Sequence, residues 1–283
     1  MEDRFQGGSW FRHGAVVDES AVGRETFVGF RVVLRHATVG NGAQIAARAQ
    51  ILGSREQPVR IGDGAWIGVG ARIAPGVRIG EHAIVGAGSE VHENVGAHTI
   101  SYGRPAVARG TITTRFDEGD GIEGVLAIVR KRQKHDTTRL FPGGPSDPDG
   151  YFDCAATLGQ GVAIGRAAIM IGRPDGPSPD GGITVGTRTA LGDHLVAEGG
   201  GGLAIGADVT LGDAVTITTS THEHRTPGRP WTAAPVYIAT GVVVGDGATI
   251  VGPVRIGAGA TIAPDAVVTR SVASGETSKG IFG

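Results

Sequence analysis

The chain has 283 residues, including 50 glycines, and a formal net charge of −2 at pH 7. This weak charge gives no reason to expect a nucleic acid or a membrane as a partner, and no segment approaches the roughly 20 apolar residues of a membrane-spanning helix. The single cysteine, Cys154, leaves no internal disulfide pair and suits a reducing compartment. Residues 1–5 show no secretory signal, so the expected location is the cytoplasm.

A six-residue repeat dominates the first part of the chain. Its most regular aliphatic positions are Ile61, Ile67, Ile73, Ile79, Val85 and Val91. A period of six matches neither the 3.6 residues of a helical turn nor the alternation of a flat strand. It fits a coil of three short strands, with the aliphatic side chain inward and a small residue four places later at the corner. Such coils bury their apolar faces by stacking, which predicts a solenoid over residues 1–110.

The spacing slips once upstream. From Val39 the preceding aliphatic position is Leu34, five residues earlier, and six-residue steps then lead back through Val28, Val22 and Val16. The slip predicts a bulge or an adjusted corner.

Residues 111–156 lose the repeat and are predicted to form a connector. Within it, the spacing of Ile122, Leu126, Ile128 and Val129 predicts one apolar stripe of a short helix that ends around Lys134.

The repeat returns over residues 157–283 and predicts a second solenoid. Its regular aliphatic positions are Ile238, Val244, Ile250, Ile256, Ile262 and Val268. Two segments interrupt it, residues 172–182 and a loop from Thr221 to Ala234. Long loops on rigid scaffolds are often functional. The second loop is therefore the candidate site, and its candidate side chains are His222, His224, Arg225, Arg229 and Trp231.

Both solenoids resemble the hexapeptide-repeat acyltransferases, which fold as left-handed parallel β-helices. Thr221-His222-Glu223-His224 and the restart Pro235-Val236-Tyr237-Ile238 resemble the galactoside, maltose and xenobiotic O-acetyltransferase branch. The resemblance implies an all-β chain of two left-handed β-helix domains joined by the connector, and assembly as a homotrimer. It places His222 at the catalytic position, with His224 as the alternative base.

The same resemblance implies binding roles for other residues. Acceptor contacts fall on Glu198, Arg225, Arg229 and Trp231, although the asparagine usual eight residues before Glu198 is Ala190 here. Contacts to coenzyme A fall on Gly245, Gly257, Ala258, Ala263, Trp66, Tyr102 and Arg104.

The two halves lack different parts of the family pattern. The first reads Ser54-Arg55-Glu56 where the second reads Ser220-Thr221-His222, so the first is interpreted as non-catalytic. The second has Val243 in place of Trp66, and its tail lacks the Gly-x-Pro step found at Gly103-Arg104-Pro105.

The chemistry of acyl transfer suits a histidine, because a base must remove a proton from the incoming hydroxyl or amine. The predicted activity is transfer of an acetyl or other short acyl group from acyl-CoA to a small molecule such as a sugar or an antibiotic-like metabolite, with no metal expected. Two alternatives stay open. One is a non-catalytic hexapeptide-repeat scaffold or assembly subunit, and the other is a metal-dependent lyase or hydratase of the γ-carbonic-anhydrase kind. The spacing of His36, His82, His92 and His98 does not reproduce the histidine pair of the latter.

Overall fold

A computed structural model describes residues 4–115, 150–153, 156–172 and 181–281. By its contacts the chain divides into two compact units. Unit 1 contains Met1–Asp136 and Glu223–Pro230, and unit 2 contains Thr137–His222 and Trp231–Gly283. The short segment Glu223–Pro230, which the sequence places in the loop of the second solenoid, thus packs as part of unit 1. The predicted domain limits near residues 110 and 157 stay predictions.

Unit 1 is a β-solenoid whose coils pass in turn through three sheets. Sheet A contains, in hydrogen-bonded order, β1 (Arg4–Gln6), β2 (Ser9–Phe11), β5 (Phe27–Val28), β8 (Gln44–Ile45), β11 (Trp66–Ile67), β14 (Ile84–Val85), β16 (Thr99–Gly103) and β17 (Ala106–Thr111). Sheet B contains β3 (Val16–Asp18), β6 (Val33–Arg35), β9 (Gln50–Leu52), β12 (Arg72–Ile73) and β15 (Glu90–Val91). Sheet C contains β4 (Ala21–Val22), β7 (Ala37–Val39), β10 (Val59–Ile61) and β13 (Arg78–Ile79). Neighbouring coils pair in parallel, whereas β1–β2 and β16–β17 are antiparallel hairpins.

Unit 2 repeats this architecture. Sheet D contains β18 (Tyr151–Asp153), β21 (Ile169–Ile171), β24 (Val196–Glu198), β27 (Thr216–Thr218), β32 (Thr249–Val251) and β35 (Val267–Val268). Sheet E contains β19 (Ala156–Leu158), β22 (Ile183–Val185), β25 (Leu203–Ile205), β30 (Val236–Ile238) and β33 (Val254–Ile256). Sheet F contains β20 (Ala163–Ile164), β23 (Ala190–Leu191), β26 (Thr210–Leu211), β31 (Val243–Val244), β34 (Thr261–Ile262) and β36 (Thr277–Ser278). A separate hairpin pairs β28 (Ser220–His222) with β29 (Trp231–Ala233).

The six-residue repeat forms the core of each unit. Ile67 pairs in register with Ile45 and Val85 of the adjacent coils, so aliphatic side chains stack along the solenoid axis. The small residue four places after an aliphatic one fills the corner, as the complete burial of Ala65 and Ala71 shows. Stacking therefore buries a continuous apolar column that one coil alone would leave exposed.

The five-residue slip falls at the corner between β6 and β7, and the same spacing recurs one coil earlier, which corrects the prediction for β3. Val17, which pairs with Leu34, packs against the core, whereas the predicted Val16 is 45% exposed, so the step to Val22 is also five residues. Leu34 on β6 and Val39 on β7 are both buried in the core of unit 1. Between them His36 adopts a left-handed backbone conformation, with φ of 43°, which turns the chain within a shorter corner.

The predicted all-β class with two parallel β-helices is confirmed, and the strand order is consistent with the left-handed β-helix that the resemblance implies. The predicted connector helix and Cys154 lie outside the described residues. No helix within the described part of the chain is long and apolar enough to span a membrane.

Candidate functional site

The predicted functional loop begins and ends as a β-hairpin at the corner between sheets D and E of unit 2. β28 runs antiparallel to β29, and His222 pairs with Trp231 at the end of the ladder. The backbone N–H of Glu223 donates to the carbonyl of Pro230 at 3.0 Å and continues this ladder by one bond. Both His222 and Trp231 are half-buried. His222 is therefore held on a paired strand, directly opposite a tryptophan.

Glu198 lies at the hairpin root, the two short segments (residues 219–220 and 233–234) where the hairpin joins the solenoid. Its Oε1 accepts a hydrogen bond from the N–H of Gly200 at 2.7 Å. Its Oε2 accepts from the N–H of Thr219 at 3.1 Å and from Oγ of Ser220 at 2.9 Å. A carboxylate that accepts several hydrogen bonds fixes the backbone that donates them. Glu198 thus orients the residues that lead directly into β28.

Thr219 completes the root, a role that was not predicted from the sequence. Its buried hydroxyl donates to the carbonyl of Glu198 at 2.9 Å and accepts from the N–H of Gly201 at 2.9 Å. Its own carbonyl accepts from the N–H of Ala234 at 2.7 Å, which closes the hairpin on the other side. A threonine next to a loop gives no sequence signal for this role, because its partners are backbone groups.

Replacing Glu198 by alanine should destabilise the protein by about 2 kcal/mol, because the N–H groups of Gly200 and Thr219 lose a charged acceptor. Glu198→Gln keeps one acceptor oxygen and should lie between the alanine variant and the wild type. Urea denaturation measures the difference. Glu93→Ala is the control, since that glutamate is exposed. A Glu198→Ala midpoint equal to that of Glu93→Ala would contradict the structural role of this carboxylate.

The tip of the hairpin, residues 223–230, packs within unit 1. The ring of His224 meets the ring of Trp66 edge to face, with centroids 4.9 Å apart and planes at 78°. Arg229 is completely buried, and its Nη2 donates to the carbonyls of His82 at 3.3 Å and Thr114 at 2.8 Å. Arg225 is exposed. The two histidines of the His-x-His pair therefore have different surroundings, since His222 lies on a strand of unit 2 and His224 packs within unit 1.

The residues predicted to contact coenzyme A in unit 1 lie on two elements. Trp66 is on β11 and faces away from the core, because its neighbour Ile67 faces inward. Tyr102, on β16, is 42% exposed, and the guanidinium of Arg109 lies 5.3 Å from its ring centroid. Nε of Arg104 donates to the carbonyl of Gly88 at 2.7 Å.

The corresponding residues of unit 2 lie at two corners. Gly245 and Ala263 follow adjacent strands of sheet F, and Gly257 and Ala258 follow β33 of sheet E. A Cβ on Gly245 would lie 2.5 Å from the backbone N of Pro264 in the next coil. Close approach of successive coils therefore explains this glycine independently of any ligand.

Within the residues that the structure describes, no three His, Cys, Asp or Glu side chains group so as to hold a metal ion. The rings of His82 and His98, two of the four histidines considered for such a site, lie with their centroids 5.1 Å apart and their planes tilted by 32°.

Comparison with known proteins places the repeat in a described family. Residues 58–93 match the family model "Bacterial transferase hexapeptide (six repeats)", which confirms the hexapeptide repeat of the first solenoid. Two yeast proteins, each named "Putative acetyltransferase", match over short stretches. The Schizosaccharomyces pombe protein is 43% identical over 49 residues, and the Saccharomyces cerevisiae protein is 35% identical over 78 residues. These matches cover 17% and 28% of this chain and only 24% and 39% of the relatives.

Solved structures give similar partial matches. A serine acetyltransferase from Vibrio cholerae O1 biovar El Tor N16961 matches with 26% identity and a TM-score of 0.33, covering 35% of this chain and 42% of that one. A hexapeptide-repeat-containing acetyltransferase from Vibrio cholerae matches with 25% identity and a TM-score of 0.29, covering 35% of this chain and 74% of that one.

Proposed function

We propose that this chain, which carries the hexapeptide repeat of bacterial transferases, is an acyltransferase that moves an acetyl or other short acyl group from acyl-CoA to a hydroxyl or amine of a small molecule. The names of its relatives support the class of reaction. The observation that carries the proposal is the placement of His222, half-buried at the end of a paired strand whose root is fixed by Glu198.

The proposed reaction needs one base and no covalent enzyme intermediate. The imidazole of His222 accepts the proton of the acceptor hydroxyl or amine, and the acceptor atom attacks the carbonyl carbon of the thioester. The tetrahedral intermediate then expels the CoA thiolate, which takes the proton from the imidazolium. Backbone N–H groups in the turns would stabilise the oxyanion. Atoms and charges balance to give the acylated acceptor and free CoA thiol.

Other residues take supporting roles in this proposal. Trp231, directly opposite His222 in the ladder, offers an apolar ring against which an acceptor can be positioned. Glu198 acts through the hairpin root, in addition to the acceptor contact predicted for it. An acceptor contact by Arg225 and CoA contacts by Trp66, Tyr102, Arg104, Gly245, Gly257, Ala258 and Ala263 remain part of the proposal. The homotrimer that the resemblance implies and a cytoplasmic location are also part of the proposal.

The proposal predicts that the purified protein releases thiol from acetyl-CoA when an acceptor is present. The first measurement is calorimetric titration of acetyl-CoA and CoA, with binding expected at about micromolar to millimolar Kd. A thiol-release assay across hydroxyl and amine acceptors, including sugars, then identifies the acceptor class. Binding of acetyl-CoA without thiol release in the presence of any acceptor would support the proposed CoA site and contradict acyl transfer. Failure to bind either CoA species would favour the scaffold alternative.

A further inference from the structure

Arg229 is a charged side chain with no exposure to solvent. Burying a guanidinium costs free energy unless hydrogen bonds to protein acceptors replace those that it made to water. Its Nη2 lies within hydrogen-bond distance of two backbone carbonyls, of His82 at 3.3 Å and of Thr114 at 2.8 Å. These carbonyls come from separate segments of unit 1. A single guanidinium nitrogen therefore links the tip of the hairpin to both of them.

Further contacts hold the same tip, which we call the anchor segment (residues 223–230). The hydroxyl of Thr114 donates to the carbonyl of His224, and the N–H of Gly228 donates to the carbonyl of Arg115 at 3.0 Å. The rings of His224 and Trp66 pack edge to face. The anchor segment is thus fixed near its beginning, at His224, and near its end, at Gly228 and Arg229.

The anchor segment also contains backbone hydrogen bonds of its own. The N–H of Thr226 donates to the carbonyl of Glu223, and the N–H of Arg229 donates to the carbonyl of Thr226, each at 2.9 Å. The N–H of Glu223 donates to the carbonyl of Pro230 at 3.0 Å. That last bond directly follows the His222–Trp231 pair in the ladder. A displacement of the anchor segment would therefore be transmitted to His222 by two direct connections. These are the peptide bond between His222 and Glu223, and the Glu223–Pro230 hydrogen bond next to the His222–Trp231 pair.

We propose that Arg229 is a positioning residue, which holds the anchor segment in unit 1 and thereby fixes the imidazole of His222. The family resemblance implies an acceptor contact for Arg229, but its complete burial and its two backbone acceptors suit an anchor. This inference rests on the proposed function of His222.

Positioning has a chemical consequence that differs from stability. General-base catalysis needs the imidazole within hydrogen-bond reach of the acceptor proton, and a misplacement of about 1 Å is enough to cost on the order of 100-fold in rate. Loss of the anchor should therefore lower kcat while the binding of acyl-CoA changes little. A purely structural role would lower the fraction of folded protein and not the rate of the folded fraction.

The test compares Arg229→Gln with Arg188→Gln in the full-length protein. Arg188 is a matched control because it also has a left-handed backbone conformation, with φ of 57° against 44° for Arg229, but pairs with Asp208 on the surface. The first readout is trypsin cleavage after Arg225, which is exposed within the anchor segment. Mass spectrometry follows the new N-terminus at Thr226. Loss of a buried charged anchor should speed this cleavage by about tenfold or more, because local opening becomes easier.

The second readout is steady-state kinetics on the same proteins. Arg229→Gln should lower kcat by about tenfold or more and change KM for acyl-CoA by less than about twofold, whereas Arg188→Gln should match the wild type. Arg229→Ala leaves a cavity lined by the same carbonyls, so millimolar guanidinium should restore part of its kcat. Arg229→Lys keeps the charge without the planar fork and should be intermediate.

The possible failures are distinguishable. A wild type without thiol release defeats the proposed function, whatever the cleavage rates. An active wild type with equal kcat for Arg229→Gln and Arg188→Gln overturns the positioning role. Equal cleavage after Arg225 in these two variants overturns the anchor itself, and loss of kcat without rescue by guanidinium or lysine would indicate a structural defect instead.

Discussion

Replacing His222 by alanine should lower kcat for acyl transfer by about 10²- to 10⁴-fold, the usual contribution of a general base. The acceptor hydroxyl would then have no group to take its proton during attack on the thioester. Alanine is compatible with the strand, because the ladder of β28 and β29 is held by backbone bonds and by Glu198 at its root. The affinity for acyl-CoA, measured by calorimetry, should therefore change by less than about twofold.

Two further histidine variants decide how this result is interpreted. His224→Ala removes the alternative base and its contact with Trp66, so it should reduce kcat less than His222→Ala. His92→Ala is the control, because His92 is exposed in unit 1. Loss of activity in His224→Ala together with normal activity in His222→Ala would reverse the assignment. Normal activity in both variants would place the base on another residue.

The repeat made most of the fold predictable. An aliphatic residue at every sixth position has to lie on the same side of successive strands, and the paired positions Ile45, Ile67 and Val85 are all buried. Period and burial follow from one cause, the stacking of coils. The slip between Leu34 and Val39 was predicted only as a bulge or an adjusted corner, and the alternation in β3 was misassigned, since Val17 and not Val16 packs against the core.

The candidate site was predictable only in part. A break in the repeat showed where the chain leaves the solenoid, and the family resemblance of residues 221–224 and 235–238 pointed to His222. Its form as a hairpin was not evident, because the short strands at Ser220–His222 and Trp231–Ala233 have no strong alternation of apolar residues. The hydrogen-bond donors to Glu198 could not be predicted either, since backbone N–H groups occur at every residue except proline.

The packing of the anchor segment could not be predicted from the sequence. Arg229 donates to the carbonyl groups of His82 and Thr114, which are 147 and 115 residues away in the chain. Every residue has a backbone carbonyl, so no side-chain pattern in the sequence indicates which carbonyls will accept these hydrogen bonds. An arginine in a polar loop suggests a ligand contact, and only the tertiary structure shows that this one is buried.

Replacing Gly201 by alanine should cost about 3 kcal/mol or more of stability, because a well-packed corner has no room for another atom. The added Cβ would overlap the carbonyl oxygen of Thr219 and lie 2.8 Å from the N–H nitrogen of Ala234. These two groups form the hydrogen bond that closes the hairpin. Thr219 has little freedom to move, since its N–H and hydroxyl are both bound to Glu198. The substitution must therefore open the hairpin root or distort sheet D.

Gly110→Ala separates this steric effect from the general effect of adding a methyl group. A Cβ at Gly110 would meet no atom within 4 Å, and neither glycine has a left-handed backbone. That variant should stay within about 1 kcal/mol of the wild type. Urea denaturation compares the two, and hydrogen exchange should show faster exchange of the amides of β28 and β29 only in Gly201→Ala. Equal midpoints and unchanged exchange would mean that the hairpin root tolerates the methyl group. A displaced but folded hairpin would instead lower kcat, because Thr219, whose N–H is bound to Glu198, directly precedes the strand that carries His222.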